Sequence, residues 1–262
     1  MGVELQGKRV LVTGASSGIG AGLAVAFARA GATVGICARR EDRLRDVLAR
    51  CAEYSPQSRL WVTDLSRPED VDRLARDAVA ELGGVDVLVN NAGIPKRRHV
   101  TALDIDTVEA VAAINYLSPV RLTLALLPQM LERGEGRIVN VSSVAATLSS
   151  PGEAAYSASK AALSVFSEGM AVDLWDRGIK VLVVYPGVVD TELFTLPDND
   201  PFTAAVEMIT VDECVAAIMD AFAREDLQVY VPDWFEKLAS GKAANVAGFL
   251  AGSAEYVRSQ QS

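Results

Sequence analysis

A chain of 262 residues, 50% of them hydrophobic, can bury a sizeable core in one or two domains, and its net charge of −9 argues against nucleic acid or an anionic membrane surface as main partner. Three scattered cysteines, Cys37, Cys51 and Cys214, lack metal-ligand or disulfide spacing, and a single histidine, His99, excludes a histidine-based triad or a His-rich metal site. No metal, and a reducing, cytoplasmic setting, are therefore expected. Met1 to Lys8 has no basic-then-apolar signal pattern, and no uncharged apolar run of 18 residues occurs.

Arg9-Val10-Leu11-Val12-Thr13 is a short β-branched run that ends in Gly14-Ala15-Ser16-Ser17-Gly18-Ile19-Gly20, and Ala21–Ala28 then reads as a helix. Strand, glycine-rich turn and helix form a unit that can seat a pyrophosphate, because glycines let backbone approach it and the helix start is positive. The spacing Gly-x-x-x-Gly-x-Gly is weak evidence alone, since a tight β-to-α turn needs no ligand. Thr33–Ala38 reads as a second strand, followed by Arg39, Arg40 and a helix over Glu41–Ala52. Leu60–Thr63 is a third strand ending at Asp64, and Pro68–Leu82 a helix with proline in its first turn. Val85–Val89 is a fourth strand, leading into Asn90-Asn91-Ala92-Gly93. Asp104–Arg133 is a long helical stretch, read as two helices, with Asn115 in an apolar surround as a kink or a satisfied core amide.

Arg137–Val141 is the fifth strand and delivers Ser142 and Ser143; Ala154–Trp175 is the helix that carries Tyr156-Ser157-Ala158-Ser159-Lys160. Tyr156 and Lys160, four residues apart, share one helix face. Phenol, ammonium and hydroxyl can converge at the carboxyl end of a sheet, where a proton could be moved onto or off a substrate oxygen. Adjacent strand residues point to opposite faces, so one of the two serines serves and the other is structural. Lys180–Tyr185 is a sixth strand stopped by Pro186-Gly187, Val211–Arg224 a helix, and Val229–Val231 a last strand. Asp233–Ser262 has no clear period. Strands alternating with helices imply a parallel sheet covered on both faces with right-handed crossovers. No linker divides residues 1–262, which read as a single domain.

Thr13-Gly14-Ala15-Ser16-Ser17-Gly18-Ile19-Gly20, Asn90-Asn91-Ala92-Gly93, Asn115, Ser143, Tyr156-x-x-x-Lys160 and Pro186-Gly187 together resemble the short-chain dehydrogenase/reductase family, over about Lys8 to Thr191. The resemblance implies a doubly wound Rossmann-type α/β sandwich with a seven-stranded sheet in the order 3-2-1-4-5-6-7. It implies hydride transfer between a nicotinamide cofactor and a secondary alcohol or carbonyl. Tyr156 would be general acid and base, Lys160, aided by the positive charge of an oxidised nicotinamide, would lower its pKa and would also hold the nicotinamide ribose, Ser143 would fix the substrate oxygen, and Asn115 would anchor a relay water. Gly14, Ser16, Ser17, Gly18, Ile19 and Gly20 would surround the pyrophosphate, Asp64 and Leu65 the adenine, and Asn90, Ala92 and Gly93 the nucleoside. Pro186, Gly187, Val189 and Thr191 would meet the nicotinamide end. Asp64 also reads as a helix cap before Pro68.

An NAD-selective site places an acid at the end of the second strand to bind the ribose 2′-hydroxyl. Ala38 stands there instead, with Arg39 next and Arg40 and Ser16 at hand, so NADP(H) is expected over NAD(H), which stays possible. The segment 191–210 is expected to be a substrate-shaping flap, and the C-terminal extension 233–262 to pack on the body or a sister subunit. The resemblance also implies a homodimer or homotetramer through the two long helices. A β-ketoacyl thioester reductase, with Arg133, Arg137 and Arg177 as carrier surface, is an alternative substrate reading. So is a silent cofactor sensor, which should have lost one of four catalytic groups that are all present here.

Overall fold

The computed structural model describes residues 5–202 and 206–259. Seven parallel strands, β1 Arg9–Thr13, β2 Thr33–Ala38, β3 Arg59–Val62, β4 Val87–Asn90, β5 Gly136–Val141, β6 Ile179–Pro186 and β7 Gln228–Val231, form one sheet in the order β3-β2-β1-β4-β5-β6-β7. That is the expected order. Helices α1 Gly18–Arg29, α2 Glu41–Ala52, α3 Pro68–Leu82, α4 Ile105–Ala112, α5 Ser118–Arg133, α6 Ala145–Leu148, α7 Ala154–Asp173, α8 Val211–Arg224, α9 Trp234–Ala244 and α10 Val246–Ser259 complete it.

Strand alternation sends side chains into two cores. Val10 and Val12 face α1, α2 and α8 with Leu23, Phe27, Leu44 and Phe222. Leu11 and Leu88 face the other way, with Leu74, Leu122, Met130 and Met170 from α3, α5 and α7. Pro68 stands in the first turn of α3, as read from the sequence, and Gly83 and Gly134 close α3 and α5 in the left-handed region. Thr210 and Glu213 form a reciprocal capping box at the start of α8.

Two differences from the sequence reading concern the site. The two helices expected within Asp104–Arg133 are joined without a break, because Ala113–Leu117 forms a π-helical turn around Asn115. The resulting Ile105–Arg133 helix is long and apolar enough by length and composition to cross a membrane, with 39% of its most apolar window buried. Here Leu122, Leu126 and Met130 pack into the core while Leu117 and Leu124 are exposed. The stretch after Asp233, without period in the sequence, forms α9 and α10. Only Phe235 is buried in α9 and no residue in α10, so neither helix needs a continuous apolar stripe.

Gly20 is the tightest point of the β1–α1 turn: a Cβ there would lie 2.5 Å from the Gly14 carbonyl oxygen and closer still to Asn91 Nδ2. Gly20→Ala is expected to cost about 1–3 kcal/mol and to lower Tm by ~2–12 °C. Thermal unfolding followed by circular dichroism tests this, and an unchanged Tm contradicts the packing described.

Candidate active site

The loops that leave the carboxyl ends of β1 to β6 line one cleft of about 950 Å³. Ligands of open α/β sheets bind at this edge. Gly14 and Gly18 have φ of +65° and +54°, which favours glycine, and the side chain of Ser17 caps no backbone amide of α1. Thr13 Oγ1 accepts from the amides of Asn91 (3.0 Å) and Ala92 (3.1 Å), which fastens the β4 turn to the glycine turn.

Gly14, Ser16, Ser17, Gly18, Ile19, Arg39, Arg40, Asp64, Leu65, Ala92, Gly93, Pro186, Gly187, Val189 and Thr191 all lie on the cleft wall, as expected. Two expected positions do not. Gly20 is spent on packing against Gly14 and Asn91. Asn90 turns into the protein, where its Nδ2 donates to Thr123 Oγ1 and Asn140 Oδ1, and Asn91 lines the cleft in its place. The strand alternation places neighbours on opposite faces, so these two asparagines exchange roles. Asp64 does not cap α3; its Oδ1 accepts from the amide and hydroxyl of Ser66. Burial would raise the Asp64 carboxyl, but those bonds and the charges of Arg39 and Arg67 outweigh it and hold the group below its ordinary range.

The wall fits a dinucleotide. At Gly93 an added Cβ would stand 3.2 Å from Asn115 Oδ1 and 3.4 Å from Lys160 Nζ, so a side chain there would fill the space beside the ammonium. Beyond it, Arg40 Nη2 donates to Ser16 Oγ and Ser17 Oγ, both at 2.9 Å, and pairs with Glu192. Glu192 also pairs with Arg43 and accepts from Ser17; its bonds, from Arg40 above all, pull its carboxyl down to about 2 against the effect of burial.

At the other end Ser143, Tyr156 and Lys160 converge. Ser143 accepts from Ala145 N at 3.1 Å and is hydrogen-bonded to the Tyr156 phenol. Ser142 instead donates to the Lys160 carbonyl at 3.0 Å and meets Ser164 Oγ at 2.8 Å, a bond that fastens β5 to α7. Lys160, 3% exposed, donates to the Val141 carbonyl at 2.8 Å, and its Nζ lies 5.9 Å from the Tyr156 ring centre. Asn115 is fully buried: Oδ1 accepts from Ile94 N at 2.8 Å, and Nδ2 donates to Ile94 O and Ser159 Oγ. The lowering expected from Lys160 together with an oxidised nicotinamide is not produced by the protein's own groups alone. Burial first, and Glu153 second, push the phenol well above its ordinary value, which outweighs the Ser143 bond and the positive Arg97. Burial likewise pushes Lys160 down to about 8. Both groups are driven towards neutrality.

Two charged residues of the substrate end were not singled out from the sequence. Arg97 is 3% exposed, and Glu153, also buried, precedes α7 with its carboxyl raised by burial. Lys96-Arg97-Arg98 reads as a solvated basic run, and only burial separates its middle member. Phe194, Phe202, Phe235 and, from α10, Phe249 and Tyr256 give this end apolar walls. Residues 203–205 of the expected flap lie outside the described residues. Its described part includes a helical turn at Glu192–Phe194 and a parallel bridge from Val189 to Ile209. As expected, α9 of the C-terminal extension packs on the body: Lys242 Nζ donates to the Thr147 carbonyl.

A family model described as short chain dehydrogenase matches residues 8–200. A short chain dehydrogenase of Pseudocercospora fijiensis is 40% identical over 204 residues, which is 77% of this chain, and the match spans 66% of that protein. A short-chain dehydrogenase of Streptomyces avermitilis superposes with a TM-score of 0.81 at 34% identity, covering 96% of this chain and 97% of the other. One from Sphingobium yanoikuyae, solved in complex with NADPH, gives 0.80 at 31% identity over 91% and 95% of the two chains.

The buried ammonium has a testable cost. A Lys160 pKa of about 8 against 10.5 corresponds to roughly 3 kcal/mol of destabilisation. Between those pH values the unfolded chain binds more protons than the folded one, so the cost is complete below pH 8 and fades as pH rises towards 10.5. Lys160→Met is therefore expected to gain in relative stability at pH 7 and to lose that margin by about pH 10. Urea unfolding of both proteins across this range measures it, and a stability difference independent of pH contradicts the assignment.

Proposed function

The chain belongs to the short-chain dehydrogenase/reductase family and is an NAD(P)-dependent oxidoreductase, and on that premise we propose that it interconverts a secondary alcohol and its carbonyl with NADP(H) as preferred cofactor. The observation that carries the reading is the convergence of Ser143, Tyr156 and Lys160 beside Gly93 in one cleft. The nicotinamide, when bound, supplies or accepts the hydride. Ser143 and Tyr156 receive the substrate oxygen between them. With its pKa raised, the phenol is fully protonated at neutral pH and is prepared to give its proton to a carbonyl oxygen during reduction. In the alcohol-oxidising direction the same phenol must first lose a proton, which requires additional positive charge nearby. Lys160, held by Val141 next to Gly93, would hold the nicotinamide ribose with its remaining N–H bonds.

The apolar walls around the substrate end favour a substrate with a sizeable apolar body. Arg133 and Arg137, the carrier-protein surface of the thioester alternative, are engaged elsewhere: Arg133 pairs with Asp86 and Arg137 with Glu225. A homo-oligomer through α5 and α7 is part of the proposal. Leu117 and Leu124 on one helical stretch, and Val165 and Val172 on the other, are exposed apolar pairs seven residues apart. Sedimentation as a monomer at micromolar concentration would refute that part.

Tyr156→Phe is expected to lower turnover by at least ~10²-fold in steady-state assays while cofactor binding is retained. Turnover like the wild type's would remove the assigned acid.

The cofactor preference rests on Ala38, which brings no carboxylate to the end of β2, and on Arg39 and Arg40 beside it on the cleft wall. The Sphingobium relative, solved with NADPH, is consistent with that choice. One charge-assisted bond to a 2′-phosphate contributes ~1.5–3 kcal/mol, or about 10- to 150-fold. Arg39→Ala is expected to reduce the NADPH to NADH ratio of kcat/KM by that factor. A wild type that prefers NADH, or a ratio unmoved in the variant, overturns the preference.

A further inference from the structure

Lys96 and Arg98 are paired with Asp198 at the surface, and Arg98 also with Asp200, but Arg97 between them turns inward. Its Nε donates to the Asp200 carbonyl and its Nη2 to the Phe194 carbonyl, each at 3.0 Å. The guanidinium stacks near the rings of Phe194 and Phe202. Nη1 is buried with no hydrogen-bond partner among the described residues. No ion pair joins Arg97 to a carboxylate among the described residues, and Glu153, which feels its charge, is itself pushed by burial towards the neutral acid. The residue lines the same cleft as Tyr156, and its charge is felt at the phenol.

A guanidinium carries five donors in a fixed fork and cannot lose its charge, so a buried one with a spare arm calls for an oxygen acceptor. Two arms are used to fasten the segment from Phe194 to Asp200. The third is surplus to that structural task. Phe194 and Phe202 flank the guanidinium and Glu153 lies within reach of its charge, and the low polarity of the ring walls strengthens any charge pair formed there.

Building on the oxidoreductase reading above, we propose that the substrate is a carboxylate-bearing ketone or alcohol, whose carboxylate pairs with Arg97 while its reacting oxygen lies at Ser143 and Tyr156. The body between the two groups is apolar, to match Leu148, Phe194, Phe202 and Phe249. Arg97 is thus a specificity residue for the reaction, fixing which end of the substrate enters first.

The test is a matched series: aryl ketones bearing a terminal carboxylate on spacers of increasing length, and the corresponding carboxamides, assayed with NADPH. For wild type the best carboxylate should exceed its carboxamide by about 10- to 100-fold in kcat/KM. Arg97→Met should bring that ratio near one, whatever its effect on the carboxamide rate. Arg98→Met, which loosens the same segment without removing the buried charge, should leave the ratio unchanged. Equal rates for the two series in wild type, or a ratio that survives Arg97→Met, overturn the proposal. A parallel arm uses thermal shift with the matching non-ketone carboxylate, 4-phenylbutyrate, in the presence of NADP. A saturable rise in Tm in wild type but not in Arg97→Met supports the anion site, and its absence in wild type counts against it. If no ketone of either series is reduced, the oxidoreductase reading fails, and the thermal-shift arm still decides the Arg97 site.

Discussion

The burial of one ammonium constrains the whole site. Lys160 stands on α7 beneath the ends of β4 and β5, and its one protein bond, to Val141, is made at the point where β5 leaves the sheet. A lysine held there needs close backbone around it. Gly93 leaves room for it, and the π-helical turn aims Asn115 so that its amide ties the Ile94 backbone to Ser159, one residue before Lys160. An ordinary α-turn at that point would rotate the amide away. The π-turn, unusual in a helix interior and frequent at functional sites, is accounted for by this one bond set. The protein accepts a charge that burial penalises because the sheet edge and two helices determine its position.

The same burial decides the protonation states. Tyr156 and Lys160 are each pushed towards the neutral form, so the chain's own residues prepare an acid rather than a base. The cleft also has a distinct charge layout at its two ends: Arg40 and Arg43 are clasped by Glu192 at one, and Arg97 is clasped only by carbonyls at the other. The segment from Glu192 to Asp200 touches both clasps and so links the two ends of the cleft.

What was legible in the sequence is what is local. The strand runs, the glycine turn, the i,i+4 pair and the proline and glycine boundaries are patterns of a few neighbouring residues, and each recurs in the fold where expected. That Ser142 and Ser143 have different partners was legible too, because strand alternation is a rule of two, while the choice of Ser143 came from the family resemblance. The resemblance put Asn90 on the nucleoside wall, whereas its amide is used by Thr123 and Asn140 and Asn91 lines the cleft. Arg97 was illegible because its burial depends on Phe194 and Asp200, about a hundred residues further along the chain. The burial of the phenol was illegible for a related reason: proximity of lysine can be read from spacing, whereas desolvation can be read only from packing. The two C-terminal helices escaped because each buries too little for a period to form.

Hydride transfer itself is the central claim, and isotopic labelling tests it most directly. NADPH deuterated at the transferring C4 position would be incubated with the protein and an accepted ketone, and the alcohol analysed by mass spectrometry. The account predicts one deuterium per molecule of product, bound to the carbinol carbon. Product alcohol without deuterium, or cofactor that binds and never passes its label to any ketone, would contradict it.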